Sequence, residues 1–197
     1  MSDTPIPDQL PVTIGVLSDT HIYPQGARQL PPPVLALFER AGVDLILHLG
    51  DVNYRGVLDD LEKIAPVLAV QGNNDDPDLV SLLPMTHTFQ VGPFSIGMVH
   101  GHGGRSAREV VRSTFAGSVD LACYGHSHIP KLEEVSGTLL LNPGSATDRR
   151  WHPHFGVAVV RIDDKGINPE LILYSDPRHL DGITFDWQQP TDRSTGT

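Results

Sequence analysis

The feature that most restricts the fold is an alternation of strand-like and helix-like segments in the early part of the chain. Segments 12–18, 45–49 and 67–71 are short apolar runs rich in β-branched residues, as buried strands are. Segments 34–42 and 56–65, which separate these runs, repeat apolar residues at helical spacing. Because strands that alternate with helices are joined by crossover connections, this order predicts βαβ units in a parallel sheet.

After residue 72 the pattern changes to short strands joined by tight turns. Segment 106–115 predicts a helix that begins with a capping box of Ser106 and Glu109, and segment 120–124 predicts a single strand. Three strand pairs lie at 86–91 with 94–100, at 131–135 with 138–141, and at 156–162 with 170–174. We therefore predict an α/β (α+β) fold, a four-layer αββα sandwich in which two mixed β-sheets pack face to face with helices outside.

Length and composition predict one domain and restrict its partners. We expect a domain at 12–186 between an N-terminal tail, 1–11, and a polar C-terminal tail, 187–197. The formal net charge of −10 argues against binding of long nucleic acid or of membranes, which need a basic surface. The single Cys123, the lack of an apolar run near ~20 residues and a start without a signal-peptide pattern predict a cytoplasmic location. A homo-oligomer is left open.

Side chains of the kinds that bind metal ions follow the predicted strands, at the point where each strand ends. Because the carboxyl ends of the strands form the crevice in which α/β proteins bind ligands, we expect these side chains to converge. Imidazole and carboxylate donors without cysteine favour Mn, Fe, Zn, Co or Ni over Ca or Mg. Seven ligands exceed the needs of one ion and fit two. The seven are Asp19, His21, Asp51, Asn73, His100, His126 and His128.

Three of these ligands directly follow a glycine, in Gly50-Asp51, Gly72-Asn73 and Gly125-His126. Glycine at such a position permits a positive φ or a close approach of two backbones. The chain can then turn sharply off the strand and aim the next side chain inward.

The order and spacing of these motifs resemble the calcineurin-like metallophosphoesterase superfamily. The resemblance is closest to the branch of small YfcE-type phosphodiesterases, which includes the retromer subunit Vps29, and it covers residues 12–175. It implies the metallophosphatase fold, which is the four-layer sandwich that the pattern predicts. The matching motifs are Asp19-x-His21, His48-Leu49-Gly50-Asp51, Gly72-Asn73-Asn74-Asp75, His100-Gly101-His102, Gly125-His126-Ser127-His128 and Asn142-Pro143-Gly144-Ser145.

The resemblance implies a dinuclear metal site and a phosphoester hydrolase that uses a metal-bridging hydroxide. Asp51 would bridge two divalent ions, most simply Mn²⁺, with Fe, Zn, Ni or Co as alternatives. The first ion would be held by Asp19, His21, Asp51 and His128. The second would be held by Asp51, Asn73, His100 and His126.

Other residues near these motifs are candidates for catalysis or substrate binding. Many phosphomonoesterases of the superfamily have histidine after the Gly-Asn pair, where this chain has Asn74, so His102 is the expected substitute acid and both residues are expected to contact substrate. Asp75 would orient Asn73 or a water, or cap a helix ahead of Pro77. Arg149 and Arg150 would bind a substrate phosphate or lie on a solvated surface.

Three histidines outside the ligand set have less specific interpretations. His48 lies within a predicted strand and is expected to be a hydrogen-bonded core residue. His152 and His154 are expected on a surface loop, with a place at the rim of the site as the alternative.

Two classes of function fit the resemblance. The first is an enzyme that hydrolyses small organic phosphodiesters, with a phosphomonoesterase or dinucleoside polyphosphate hydrolase as the enzymatic alternative. The second is a Vps29-like protein-binding scaffold with little activity. Scaffolds of that type lose metal-site residues, whereas this chain keeps a ligand-type side chain at all seven positions, which favours catalysis.

Overall fold

The computed structural model describes residues 4–179 and 183–184, and the predicted tail at 187–197 lies outside them. The helices are α1 (Pro32–Ala41), α2 (Arg55–Leu61), α3 (Pro77–Leu82) and α4 (Ala107–Phe115). The strands are β1 (Val12–Leu17), β2 (Leu45–His48), β3 (Val67–Ala69), β4 (Thr86–Val91), β5 (Phe94–Val99), β6 (Leu121–Tyr124), β7 (Lys131–Val135), β8 (Thr138–Asn142), β9 (Phe155–Asp163), β10 (Gly166–Tyr174) and β11 (Ile183–Thr184).

The strands form two mixed sheets. The first has the order β11-β10-β9-β1-β2-β3, and its β1, β2 and β3 are parallel, as the βαβ pattern predicts. The second has the order β4-β5-β6-β8-β7, in which β5, β6 and β8 are parallel and the edge strands are antiparallel. The carboxyl ends of β1, β2 and β3 therefore lie together at one edge of the first sheet.

The core is divided into three layers of apolar contact. Between the sheets, Val16 and Leu47 of the first sheet pack in one cluster with Met98 and Cys123 of the second. A second cluster holds α1 and α2 against the first sheet, and a third holds α4 against the second sheet. Helices thus cover both outer faces, and the predicted four-layer αββα sandwich is confirmed.

The structure differs from the predicted elements mainly at their ends. The sequence indicates helix α3 only as a helix start ahead of Pro77, with no range, because six residues are too few to display a helical period. Strand β10 begins at Gly166, where it pairs with Asp163 directly across the turn, rather than at the predicted Glu170. In these cases backbone pairing or a cap, rather than side-chain pattern, sets the boundary.

The segment before β1 packs on the domain. Ile6 and Leu10 contact the cluster between the sheets, and the Thr4 hydroxyl lies 3.4 Å from the carbonyl oxygen of Val67. Among the described residues, no helix has the length and apolar character needed to cross a bilayer.

Candidate metal centre

The structure brings six of the seven predicted ligands into two adjacent groups of three. In each group, one donor atom from every residue lies within 4.8 Å of the others. One group contains Asp19, His21 and His128, and the other contains Asp51, His100 and His126. Asp19 and Asp51 follow β1 and β2 of the first sheet. His100 follows β5 of the second sheet, and His126 and His128 follow β6 of that sheet. The two sheets therefore build the site jointly.

Asp51 lies between the two groups. Its Oδ2 is 3.4 Å from His21 Nε2 and also 3.4 Å from His100 Nε2. The seventh predicted ligand, Asn73, places its Oδ1 3.2 Å from His100 Nε2. This arrangement fits the predicted sharing, with Asp51 common to both sets and Asn73 on the side of His100.

The backbone is strained where the ligands occur. Among the described residues, eight that are not glycine have a positive φ, and five of them are predicted ligands. A positive φ costs a non-glycine residue on the order of 1–3 kcal/mol, and such strain persists only where the surrounding structure imposes it. The five are Asp19, His21, Asp51, His126 and His128, with φ between 45° and 65°.

Two of the predicted glycines serve close packing rather than a positive φ. A Cβ on Gly125 would lie 2.0 Å from Ser18 Oγ, and a Cβ on Gly72 would lie 2.2 Å from both the backbone nitrogen and Oδ1 of Asp51. Gly50, by contrast, has a φ of 89°. Both glycine roles expected from the sequence therefore occur at the site.

The donor atoms fit divalent cations better than they fit one another. Oδ1 of Asp19 is buried and accepts no hydrogen bond from any described residue, although it lies 3.2 Å from His128 Nε2. His21 Nε2 and His128 Nε2 face each other at 3.2 Å. An orphaned buried carboxylate oxygen costs free energy, and a cation placed among these atoms would satisfy it.

The opposite ring nitrogens of two ligands are held by backbone carbonyl oxygens. His100 Nδ1 is 2.7 Å from the carbonyl oxygen of Leu49, and His128 Nδ1 is hydrogen-bonded to that of Asp148. A carbonyl oxygen can only accept, so each Nδ1 carries a proton, which leaves Nε2 as the nitrogen that can bind a metal ion. Bonds of this kind fix the tautomer of metal-binding histidines.

The pKa values of the acidic groups favour ionised carboxylates. Burial raises the pKa of Asp19, but the His128 and His100 rings and the Ser18 hydroxyl outweigh burial, and the net shift is downward. Burial also opposes ionisation of Asp51, and His100 and Asn74 outweigh it, so the pKa of Asp51 is well below its usual range. Both carboxylates are therefore available as anionic ligands.

The histidine ligands are divided between neutral and protonated tendencies. Burial lowers the pKa of His21 and of His126, which favours the neutral imidazole that binds metal. Burial also tends to lower the pKa of His100, but the contact with Asp51 and the charge of Asp19 outweigh burial, so the net shift of this pKa is upward. The raised pKa of His100 is thus caused by the two carboxylates, Asp19 and Asp51, at the centre of the site.

Asn74 and Asp75 brace the loop after β3. Asn74 donates to both carboxylate oxygens of Asp51, from its backbone nitrogen and from Nδ2, each at 2.8 Å. Asp75 accepts from the backbone nitrogens of Asn53 and Gly72, at 2.7 and 2.6 Å. The interpretation of Asp75 as a helix cap is wrong, because Asp76 caps α3 by accepting from the Leu79 nitrogen.

His102 lies at the rim of the site. Its ring centroid is 5.5 Å from that of His100 and 6.4 Å from that of His126, and its Nδ1 has no hydrogen-bond partner among the described residues. Burial and the charge of His100 lower the pKa of His102, so its ring favours the neutral form. The ring therefore lies beside two predicted ligands, with one buried nitrogen that has no hydrogen-bond partner in the described part of the chain.

The loop 148–154 contains two predicted substrate-binding residues. Arg149 donates to the carbonyl oxygen of His152 at 2.7 Å, and its guanidinium lies over the Phe155 ring at 5.6 Å from the centroid, so it supports the loop. The Arg150 side chain is exposed and pairs with no described residue. His152 Nδ1 contacts the backbone of His154, which places both histidines in a self-bonded surface turn.

Residues behind the ligands hold the ligand-bearing loops in place, and of these only Thr20 was not singled out in the sequence. The Ser145 hydroxyl donates to the carbonyl oxygen of Asp19, and Asn142 Nδ2 donates to that of Gly125, so the Asn-Pro-Gly-Ser turn holds two ligand-bearing loops. The wholly buried His48 lies 3.1 Å from the Thr20 hydroxyl, which also contacts the carbonyl oxygen of Asp51. His48 is a hydrogen-bonded core residue, as expected.

A cavity of about 740 Å³ lies beside α1 and α2, and none of the seven predicted ligands lines it. Tyr23 and Tyr54 are among its walls, and the Tyr23 hydroxyl accepts a hydrogen bond from Asn53 Nδ2 at 2.6 Å. No predicted ligand therefore faces this larger cavity, although Ile22, which follows His21 in the chain, is one of its walls.

The chain is similar to several known proteins. The calcineurin-like phosphoesterase superfamily domain matches residues 12–165. A probable metallophosphoesterase of Methanothermobacter thermautotrophicus is 36% identical over 166 residues, which are 83% of this chain and 94% of that protein. A phosphodiesterase of Methanocaldococcus jannaschii is 27% identical over 143 residues, which are 66% of this chain and 82% of that protein.

A solved structure has the same architecture. Vps29 from Entamoeba histolytica, complexed with Zn²⁺, superposes with a TM-score of 0.63 at 24% identity, and the match covers 82% of this chain and 99% of that one. This likeness shows a shared fold and agrees with the two-sheet sandwich described above. Because the family match covers most of the chain and a relative of high coverage is more than 30% identical, the chain belongs to the calcineurin-like phosphoesterase superfamily.

Proposed function

We propose that the protein is a metal-dependent phosphodiesterase that hydrolyses small organic phosphodiesters. The observation that carries the proposal is the position of Asp51, whose Oδ2 is equally close to a histidine of each ligand group. A carboxylate between two ligand groups is suited to two ions that share one ligand, which is the arrangement used to clamp a phosphoryl group.

The site residues divide into two sets of four that share Asp51. Asp19, His21 and His128 complete one set, and Asn73, His100 and His126 complete the other. Two divalent ions would supply Lewis-acid activation of water and would neutralise the charge that develops on the phosphoryl oxygens. Nitrogen and oxygen donors without sulfur suit Mn, Fe, Zn, Ni and Co alike, and Mn²⁺ is the ion that we propose.

The chain's own residues would orient the ester and hold protons. Asn74 fixes Asp51 through two hydrogen bonds and lies exposed at the edge of the site, where it can contact a phosphoryl oxygen. His102 has an unpartnered Nδ1 and a lowered pKa, so it is a better hydrogen-bond partner than proton donor near neutral pH. A placed acid contributes about 10²- to 10⁴-fold, and we therefore expect preference for esters with good leaving groups.

Charge also favours a small anionic substrate. The whole chain has a net charge of −10, which disfavours long nucleic acid. Two divalent ions carry more positive charge than the two buried carboxylates neutralise, so the loaded site would attract a single phosphate ester. The likeness to Vps29, which is complexed with Zn²⁺ in that solved structure, keeps a protein-binding scaffold as the rival function, so activity rather than metal binding separates the two.

The test is hydrolysis of bis(p-nitrophenyl) phosphate with Mn²⁺ by the wild-type chain and by the Asp51→Asn and His126→Ala variants. His179→Ala is the matched control, because it removes an exposed histidine outside both ligand groups. We expect the control to equal wild type and both site variants to lose at least about 100-fold. A wild-type rate no higher than that of the site variants would refute the enzyme and favour the scaffold.

A second substrate separates diesterase from monoesterase. With p-nitrophenyl phosphate under the same conditions, we expect a lower kcat/KM than with the diester, because no histidine follows the Gly72-Asn73 pair. A higher kcat/KM for the monoester would replace the diesterase with a phosphomonoesterase.

A further inference from the structure

Trp151 is the most exposed large apolar side chain among the described residues, with 97% of its surface accessible. It lies in the loop 148–154, directly after the two arginines of that loop. Exposed indoles are uncommon on protein surfaces, and tryptophan and arginine together are typical of positions that bind partners or ring-containing ligands. Neither the metal centre nor the core of the domain uses this side chain.

Trp151 lines a cleft of about 220 Å³ that adjoins the metal centre. The other lining residues are Ser127, Ile129 and the rest of segment 149–153. Ser127 and Ile129 flank His128 in the chain, and successive Cα atoms are about 3.8 Å apart, so the cleft lies one residue from a predicted ligand. His128 Nδ1 is also hydrogen-bonded to the carbonyl oxygen of Asp148, where the loop begins. The loop and the ligand are thus held together.

Of the two arginines in the loop 148–154, one holds the loop together and the other has no partner among the described residues. Arg149 is engaged with the His152 carbonyl oxygen and the Phe155 ring. Arg150 has a positive φ of 47°, and its guanidinium makes no hydrogen bond or ion pair with the described residues. The cleft therefore presents an indole face and an unpaired positive charge on the same short loop.

We propose that this cleft binds a nucleoside group of the substrate, the ester group that stays on the phosphate when the leaving group departs. The inference rests on the proposed function and adds the substrate class. An indole face stacks on any nucleobase, and a free guanidinium attracts the phosphate or sugar oxygens beside it. The volume is smaller than that of sites enclosing a whole drug-sized ligand, which suits a single ring system. Besides Trp151, only Ile129, 53% exposed, and the exposed Pro153 add apolar surface to the cleft, and this area is small for a protein docking patch.

The first experiment compares two esters with the same leaving group, p-nitrophenyl thymidine 5′-phosphate and methyl p-nitrophenyl phosphate. Both release p-nitrophenolate, so the ratio of their kcat/KM values measures recognition of the other ester group. We expect the wild-type ratio to favour the thymidine ester, and Trp151→Ala to lower the ratio about 10-fold, the loss of one base stack. Trp151→Phe should restore most of it. Tyr54→Ala, which removes an exposed aromatic from the larger cavity, is the control and should leave the ratio unchanged.

The second experiment measures binding without activity. The chain has two tryptophans, Trp151 and Trp187, so a Trp187→Phe variant leaves Trp151 as the fluorescent reporter. We expect thymidine 5′-monophosphate, added in the presence of EDTA, to quench this emission with saturation, and Arg150→Ala to weaken binding several-fold. The kinetic assay includes Trp151→Phe, and the binding assay uses Trp187→Phe, which keeps Trp151. Because both variants retain an aromatic ring at residue 151, a folding defect does not explain the results of the two assays.

The outcomes separate the two proposals. If both esters are hydrolysed but Trp151→Ala leaves the ratio of their kcat/KM values unchanged, the proposed nucleoside cleft is overturned and the phosphodiesterase stands. Hydrolysis of both esters without quenching of Trp151 by thymidine 5′-monophosphate has the same meaning. Saturable quenching without metal-dependent hydrolysis of either ester supports the nucleotide cleft and overturns the phosphodiesterase.

Discussion

Replacing Gly72 with alanine tests the position of the bridging carboxylate. A Cβ at residue 72 would lie 2.2 Å from both the backbone nitrogen and Oδ1 of Asp51, whereas ordinary contact begins near 3.4 Å. The two chain segments must therefore separate by roughly 1.2 Å. One contact atom is a backbone nitrogen, and the other, Oδ1, is held by the Asn74 nitrogen, so the backbone of the Asp51 loop has to move.

The displacement has two expected consequences of different size. Overpacking of this kind costs about 1–3 kcal/mol of unfolding free energy. Ligand distances tolerate only about 0.2 Å, so a shift of the shared carboxylate should lower Mn²⁺ affinity by at least about 10- to 100-fold. Urea unfolding in EDTA measures the first effect, and calorimetric titration with Mn²⁺ measures the second.

Gly137→Ala is the matched control. Gly137 has a φ of +81°, and a Cβ there would meet nothing within 4 Å. Alanine at this turn should cost about 1–2 kcal/mol from backbone strain alone and should leave Mn²⁺ affinity unchanged. Wild-type Mn²⁺ affinity in Gly72→Ala would refute the placement of Asp51 against this glycine, and equal loss in both variants would show that affinity follows stability instead.

Three further predictions concern stability and are measured by urea unfolding in EDTA. Burial lowers the pKa of His48 from its ordinary 6.5 to about 3, so between these values the unfolded chain takes up a proton that the folded chain does not. Between about pH 6 and 5, the unfolding free energy of wild type should therefore fall by about 1 kcal/mol more than that of His48→Asn. Equal losses in the two proteins would contradict a buried neutral ring. Ser106→Ala removes the acceptor of the Glu109 nitrogen and should cost about 1 kcal/mol, with no loss if α4 is capped otherwise. Thr138→Val orphans the Gly117 nitrogen and should cost about 1–3 kcal/mol, and a neutral effect would show that water replaces the hydroxyl.

The sequence was informative where a short stretch of chain carries the pattern. Apolar β-branched runs located the parallel strands of the first sheet, helical spacing located α1, and turn residues located hairpins such as β4 and β5, which flank Gly92-Pro93. The capping box at Ser106 predicted the start of α4, and the Ser106 side chain accepts from the Glu109 nitrogen as that motif requires. These features depend on neighbours a few residues apart, so their physics is contained in the local sequence.

Shorter or pattern-poor features were missed. Helix α3 has six residues, and its cap is Asp76 rather than Asp75, because one turn of helix can begin at either acid until the rest of the loop is placed. Asn53 was not singled out, although its backbone and side chain join Asp75, Asn74 and Tyr23. Its role depends on a loop more than twenty residues away.

Sequence alone determined the order of the elements, the two-sheet sandwich and the appearance of ligand-type side chains at strand ends, because strand periodicity and direction dictate which edge of a sheet those residues reach. Only the tertiary structure decided which ligands face one another. His21 and His128 are 107 residues apart, and their facing nitrogens, like the nearness of Asp51 to both groups, follow from how two sheets pack. The exposure of Trp151 beside this centre was likewise decided by packing, since a loop side chain is buried or exposed according to what the distant chain places around it.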